Sequence, residues 1–198
     1  MNKYIKAFSE DHVGVIQLDR PNVLNALNRE MVTEIVSQLQ SFENNEDIRV
    51  IVIRGNERAF AAGADIDEMR DASPLDLELL SPFAEWDKIS LIKKPILAAV
   101  NGFALGGGFE LALHCDVILA AEDAKFGFPE VKLGVLPGAG GTQFLTKAMG
   151  TRKALEWIWL GEQMTANEAL KYGVINRVVA KELVVEETMR LAFQLVEQ

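Results

Sequence analysis

The sequence predicts a single α/β domain. Short apolar runs alternate along the chain with longer stretches in which apolar residues recur at helical spacing. The 198 residues, 49% of them hydrophobic, suffice for one domain with a sizeable core, and no linker or low-complexity segment divides them. The expected order of elements is β, β, α, β, α, β, α, β, α, with mostly right-handed crossovers.

The first half of the chain predicts strands around one amphipathic helix. Residues 4–8 and 13–18 are typical of two strands joined by a tight turn. A helix is expected over 28–44, because Asn28 can cap it and apolar residues recur on one face. The continuous apolar run at 50–54 suits a strand buried on both faces. Two further helices are expected in this half, a short one over 65–70 and a longer one over 83–93.

The stretch 95–110 combines a predicted buried strand, a glycine-rich turn and the start of a predicted helix. An apolar run at 96–100 predicts a buried strand, and three glycines at 106–108 then lead into a helix expected over 109–115. Such a junction presents bare N–H groups, and the Glu110 carboxylate one turn away could act on a ligand held there. A tight packing turn, with Glu110 merely complementing the helix dipole, is the alternative interpretation.

The rest of the chain continues the alternation. A buried strand is expected at 117–120, and a second glycine-rich turn lies at 137–141. Thr165 and Glu168 match a capping box, which marks a helix start. The remaining expected elements are an extended piece at 125–130, helices over 142–149, 153–160 and 166–172, a strand at 176–179 and a last helix over 182–196.

Composition narrows the classes of function. No apolar run approaches the roughly 20 residues that a membrane helix needs, and the chain start shows no signal or transit peptide, so we expect no membrane partner and a cytoplasmic location. The net charge of −9 disfavours nucleic acid as a partner. Cys115 is the single cysteine and is expected in the core. Because His12 and His114 lack ligand-like spacing, no metal site is expected.

Three motifs resemble one family. They are 59–66 (AFAAGADI), 101–110 (NGFALGGGFE) and 126–141 (FGFPEVKLGVLPGAGG), preceded by 20–21 (RP) and 25–27 (NAL). Together they resemble the enoyl-CoA hydratase/isomerase, or crotonase, family over nearly the whole chain. The resemblance implies a crotonase-like spiral of repeated ββα units in a single domain over 1–198. It also implies a homotrimer or a homohexamer built as a dimer of trimers, and no cofactor, since coenzyme A is part of the acyl-CoA substrate.

The resemblance implies residue roles as well. The N–H groups of Ala64 and Gly107 would form an oxyanion hole for the thioester carbonyl, and Glu110 and Glu130 would be the catalytic carboxylates. Our hypothesis is that Glu110 is the base that activates water and Glu130 the acid that protonates Cα. The residues implied in substrate binding are Ala62, Ala64, Asp65, Ile66, Gly106, Gly107, Phe128, Pro137 and Gly138.

The presence of both glutamates favours one activity within the family. Isomerase relatives typically keep the carboxylate at the position of Glu130 and lack the one at Glu110. The resemblance therefore favours an enoyl-CoA hydratase, a carbon-oxygen lyase. The alternatives are an enoyl-CoA isomerase, another acyl-CoA lyase, or a non-catalytic acyl-CoA-binding relative.

Two departures from the family pattern affect these expectations. Hydratase relatives often have Gln at the position of Phe128, which therefore either lines the acyl pocket or is a core aromatic residue. Family chains usually continue beyond the last helix expected here, so this core domain is expected to lack the usual C-terminal helices. The basic residues that could hold the CoA phosphates are Arg20, Arg29, Lys93 and Lys94.

Overall fold

The chain forms two β-sheets with helices packed around them in a computed structural model, which describes residues 2–65, 68 and 84–198. The strands are β1 (Ile5–Glu10), β2 (Val13–Leu18), β3 (Val50–Arg54), β4 (Ala59–Ala61), β5 (Ile96–Val100), β6 (Phe103–Leu105), β7 (Val117–Ala121), β8 (Lys125–Gly127), β9 (Gln163–Thr165) and β10 (Arg177–Val179). The helices are α1 (Arg29–Glu43), α2 (Ala84–Asp87), α3 (Gly107–Leu113), α4 (Gly141–Met149), α5 (Thr151–Leu160), α6 (Ala166–Lys171) and α7 (Val184–Val196). Turns of 3-10 helix lie at Pro21–Val23, Ile89–Leu91, Pro129–Leu133 and Lys181–Leu183.

The larger sheet has the strand order β1-β2-β3-β5-β7-β10. Only β1 and β2 pair antiparallel, and the other neighbours are parallel. Side chains alternate along β3, so Val50 and Val52 pack against α7 on one face. Ile51 and Ile53 point into the main core on the other face. The continuous apolar run at 50–54 therefore forms the doubly buried strand that the sequence predicted.

The smaller sheet has the order β4-β6-β8-β9. Its strands β4, β6 and β8 each follow directly after a strand of the larger sheet, namely β3, β5 and β7. Successive strand pairs are thus divided between two sheets, which produces the spiral of repeated ββα units. The element order expected from local patterns was wrong here because it omitted β4, β6 and β9. Each has three residues, too few to show an apolar period.

Three local predictions are confirmed, namely the cap of α1, the capping box of α6 and the buried position of Cys115. The Asn28 side chain caps α1 by accepting a hydrogen bond from the Met31 N–H at 2.9 Å. Thr165 and Glu168 form the capping box at the start of α6. Cys115 is buried, at 8% exposure. In the described part of the chain, no helix is both long enough and apolar enough to cross a membrane.

The helix expected over 83–93 is wrong in its extent. Helix α2 covers only Ala84–Asp87, a 3-10 turn follows at Ile89–Leu91, and Ile92 is extended. Pro95 disfavours helical backbone at the residue before it, so the chain must straighten before it enters β5. The short helix expected over 65–70 lies outside the described residues, apart from Asp65 and Glu68.

Helix α3 packs directly on the backbone of β4. A Cβ placed on Gly108 would overlap the carbonyl oxygen of Ala61 and lie 2.7 Å from the Ala61 Cβ. The next residue, Phe109, stacks on Phe128 with ring centroids 4.8 Å apart and contacts Phe126 at 5.2 Å. The missing side chain at Gly108 therefore sets the distance between α3 and β4.

The substitution Gly108→Ala will lower the free energy of unfolding by about 3 kcal/mol, because the new methyl group meets backbone that cannot move aside cheaply. Urea unfolding will measure the loss. Gly134→Ala is the control: φ is +75° there and nothing lies within 4 Å of the new Cβ, so only the left-handed backbone penalty of about 1–2 kcal/mol applies. A smaller loss for Gly108→Ala than for Gly134→Ala would contradict the packing argument.

Candidate active site

The turn between β6 and α3 exposes an N–H group at its centre. Gly106 has φ 51° and ψ −129°, and its own N–H donates to the Gly127 carbonyl at 2.9 Å. Gly107 is the first residue of α3, so its N–H lacks a partner within the helix. Among the described residues, no protein acceptor takes the Gly107 N–H. The turn thus fixes one free donor at a helix N-terminus.

A second free donor lies in the loop after β4. The N–H of Ala62 donates to Leu24 at 3.0 Å, and Leu27 both donates to Gly63 at 2.8 Å and accepts from Asp65 at 2.9 Å. These bonds hold the loop on both sides of Ala64 and leave the Ala64 N–H without an acceptor in the described part of the chain.

The segment that holds this loop is itself anchored by a buried amide. The Asn25 side chain, 0% exposed, donates to the carbonyls of Ala59 at 3.2 Å and Phe60 at 3.0 Å. Its oxygen accepts from the Arg20 N–H at 2.8 Å. Asn25 tolerates the left-handed backbone required there, with φ 56°. The NAL motif at 25–27 therefore positions the loop that carries Ala64.

The two free donors lie next to each other. A Cβ placed on Gly107 would be 3.8 Å from the Ala64 nitrogen, and one on Gly63 would be 3.3 Å from the Leu105 carbonyl oxygen. The side chains of Leu27 and Trp86 border the same spot, 3.9 and 4.0 Å from the Cβ position of Gly107. No local pattern indicated Trp86 as a site residue, because its place depends on packing between distant segments.

Glu110 is held in a defined position inside the protein. Its side chain is buried, and Oε1 accepts hydrogen bonds from the N–H groups of Ala139 at 2.7 Å and Gly141 at 2.9 Å. Burial raises the pKa of Glu110, and the hydrogen bonds from Gly141 and Ala139 oppose that rise. The second glycine-rich turn thus serves to hold this carboxylate.

Glu130 lies across the Gly106 turn from the free donors. A Cβ placed on Gly106 would be 2.9 Å from its Oε1, so the carboxylate rests against that glycine. Its Oε2 is buried without a hydrogen-bond partner among the described residues. The pKa of Glu130 is raised to about 7, chiefly by burial and in smaller part by the negative charge of Glu110, against the lowering effect of a hydrogen bond from Glu130's own N–H. An ionised Glu110 therefore favours a protonated Glu130.

The remaining residues predicted in substrate binding have different environments. Phe128 is 2% exposed, and its ring lies 2.5 Å from the Cβ position of Gly141. It packs in the core behind Glu110, and contact with an acyl chain stays a prediction. Pro137 is buried, Gly138 is exposed, Ala62 is half-buried and Ile66 lies outside the described residues.

The basic residues considered for the CoA phosphates are partly engaged elsewhere. The Arg20 guanidinium pairs with Asp65 at 2.9 Å and also donates to the Ala26 carbonyl. The Lys94 Nζ donates to the carbonyls of Phe42 and Asn45 at the end of α1, at 2.7 Å each. In the ranges that the structure describes, no group of three or more His, Cys, Asp and Glu side chains could hold a metal.

The spiral of ββα units, with neighbouring backbone donors and the carboxylates of Glu110 and Glu130 close to one turn, defines a protein of the crotonase fold. The chain belongs to the enoyl-CoA hydratase/isomerase family, whose model matches residues 9–198. It is 49% identical over 170 residues to a probable enoyl-CoA hydratase of Mycobacterium tuberculosis, covering 86% of this chain and 66% of that one. It is 47% identical over 180 residues to a probable mitochondrial enoyl-CoA hydratase of Dictyostelium discoideum, covering 91% and 65%.

Solved structures agree with the fold. An enoyl-CoA hydratase subunit of Geobacillus kaustophilus superposes with a TM-score of 0.97 at 60% identity, covering 99% of this chain and 76% of that one. An enoyl-CoA hydratase of Bacillus anthracis gives a TM-score of 0.93 at 34% identity, covering 99% and 78%. Against the two curated relatives above, the matched part of the chain spans 65–66% of their length.

The raised pKa of Glu130 predicts a pH-dependent stability. Because it rises from 4.5 to about 7 on folding, the folded state binds more protons than the unfolded state between these values, and stability falls as pH rises through that window. Glu130→Gln will therefore raise Tm at pH 8 by roughly 2–4 °C, the shift that about 1 kcal/mol produces at this size. The gain will vanish near pH 4. Calorimetry will test this against the exposed control Glu122→Gln, and equal behaviour of the two variants would contradict it.

Proposed function

We propose that the chain is an enoyl-CoA hydratase, which adds water across the trans-2 double bond of an enoyl-CoA to give a 3-hydroxyacyl-CoA. One observation carries the proposal: the buried carboxylate of Glu110 and the partly buried carboxylate of Glu130 lie near the turn that brings the free N–H groups of Gly107 and Ala64 together. The relatives described as enoyl-CoA hydratases support it.

The two free donors account for activation of the thioester. As hydroxide adds to Cβ, negative charge develops on the thioester oxygen of the enolate. N–H groups that are already fixed in place stabilise this charge without reorganisation, and losing one such donor costs on the order of 10²–10³ in rate in a well-studied hydrolase. Gly107 has no side chain to block the carbonyl from its own N–H. The proposed oxyanion hole is therefore Ala64 with Gly107.

Glu110 is suited to activate water. Its Oε1 is occupied by the two loop N–H groups, while Oε2 takes no hydrogen bond from the described residues. A water molecule can donate to Oε2 and transfer its proton there as its oxygen bonds to Cβ. The hydrogen bonds to Oε1 keep the carboxylate oriented and favour its ionised form.

Glu130 is suited to supply the proton that Cα needs. A pKa of about 7 leaves it partly protonated at neutral pH, unlike an ordinary surface glutamate. It can transfer its proton to Cα as the enolate collapses. The proton gained by Glu110 then returns to Glu130 through solvent, which completes the cycle without a metal or redox cofactor.

Assembly and location belong to the proposal as well. A trimer or dimer of trimers and a cytoplasmic location agree with the family resemblance and the bacterial relatives, although the Dictyostelium relative is described as mitochondrial. An isomerase working through Glu130 alone is the competing reaction. The buried, oriented position of Glu110 favours hydration over that alternative.

Glu110→Gln separates the two reactions. The wild-type protein, mixed with a short trans-2-enoyl-CoA, will remove the conjugated thioester absorbance and form the 3-hydroxyacyl-CoA. Glu110→Gln will lower kcat by about 10²–10⁴, because the amide cannot take a proton from water. The exposed Glu122→Gln is the matched control and should keep full activity. If Glu110→Gln still hydrates the enoyl-CoA, the role of Glu110 as the base is refuted. If the wild-type protein moves the double bond and Glu110→Gln does so at the same rate, an isomerase is favoured.

The acid role of Glu130 predicts how rate depends on pH. If the protonated form is required, kcat/KM will fall as pH rises through about 7, approaching tenfold per unit above it. The profile of kcat/KM from pH 5 to 9, measured with a short enoyl-CoA, will test this because it reports the groups of the free enzyme. A flat profile from pH 6 to 9 would exclude Glu130 as the acid.

A further inference from the structure

His114 lies on the same face of α3 as Glu110, one turn further along. The two residues are four apart, and the His114 N–H donates to the Glu110 carbonyl at 3.0 Å. Both side chains reach residues 139–141, the turn that holds the Glu110 carboxylate. The catalytic mechanism proposed above gives His114 no part.

The imidazole binds this turn at a polar group that Glu110 does not use. Its Nε2 lies 2.9 Å from the Ala139 carbonyl oxygen, and since that oxygen can only accept, Nε2 carries the hydrogen. The N–H of Ala139 in turn donates to Glu110 at 2.7 Å. Ala139 is thus held at its N–H by Glu110 and at its carbonyl by His114, two side chains that lie one helical turn apart.

The ring is itself held in place. The Phe144 ring meets His114 edge-on, with centroids 4.8 Å apart, and the Trp86 ring is tilted against it with centroids 5.9 Å apart. Burial lowers the pKa of His114 and so favours the neutral ring. Between Ala139 and Gly141, Gly140 takes φ +97°, which confines the turn to a shape that glycine permits.

We propose that His114 is a positioning residue for Glu110, acting through the backbone of Ala139. Without the imidazole N–H, the Ala139 carbonyl loses its partner and the turn is free to shift. The two N–H groups that orient Glu110 then weaken, and with them the interaction that favours its ionised form. The consequence for catalysis rests on the function proposed above, whereas the consequence for Glu110 ionisation does not.

Two substitutions of similar size isolate the hydrogen bond. His114→Met removes the donor, and His114→Gln retains an N–H at a similar reach. The charged groups that face this pair in the described part of the chain are Glu130, beside Glu110, and Asp87 of α2, beside His114. Neither substitution alters them. Calorimetry will confirm folding, and His114→Leu is a second apolar variant if the methionine variant does not fold.

The readouts are the titration of Glu110 and the steady-state rate. The side-chain carbon signal of Glu110, assigned by its loss in Glu110→Gln, will be followed by NMR across pH. In His114→Met the Glu110 pKa will rise and kcat will fall roughly ten- to a hundredfold with little change in KM. His114→Gln will keep both near the wild-type values.

Other outcomes would overturn the proposal or separate it from the proposed function. An unchanged Glu110 pKa and kcat in the apolar variants would refute positioning by His114. If His114→Gln changed the Glu110 pKa and kcat as much as the apolar variants do, His114 would act by packing and not as a hydrogen-bond donor. A wild-type protein without hydratase activity, whose Glu110 pKa nonetheless rises in His114→Met, would refute the proposed function and support the positioning.

Discussion

The backbone contact between the first turn of α3 and strand β4 is the constraint on which the site depends. Gly108 lies against Ala61 with no room for a side chain, so helix and strand approach as closely as two backbones can. This closeness brings the turn at 106–107 against the loop at 62–65, so that the N–H groups of Gly107 and Ala64, which have no acceptor among the described residues, lie near each other. If α3 and β4 lay further apart, these two N–H groups would be too distant from each other to donate to the same oxygen atom.

The two glutamates differ because burial acts on them in unequal surroundings. Burial raises the pKa of both carboxyls, but Glu110 receives two backbone hydrogen bonds that favour its charge. Glu130 has a buried oxygen without a partner among the described residues and also faces the charge of Glu110. The hydrogen bonds thus favour the ionised form of Glu110, whereas the surroundings of Glu130 favour its protonated form. This division follows from the backbone of the second glycine-rich turn, since the two side chains are chemically the same.

The rest of the fold gives this site a rigid support. The larger sheet is packed on both faces, by α7 on one side and by the main core on the other. The strands of the smaller sheet are short, but β4, β6 and β8 each follow directly after a strand of the larger one, so the two sheets are connected at three places. Asn25 adds a buried connection from the segment before α1 to β4, and His114 adds a partly buried one from the end of α3 to the turn around Ala139. Each connection joins segments far apart in sequence.

The sequence by itself determined the features whose signals are local. The apolar run of β3, the cap and face of α1 and the capping box of α6 follow from a few neighbouring residues, and the motifs around Glu110 and Glu130 indicated the family. Tertiary structure decided the rest. Three-residue strands carry no period of their own, so the second sheet exists only through pairing. The hydrogen bonds that hold Glu110 come from Ala139 and Gly141, which lie 29 and 31 positions further along the chain. The core position of Phe128 depends on its contact with Gly141. No local pattern indicated a role for His114. Such contacts depend on how distant segments pack, which no short stretch of sequence specifies.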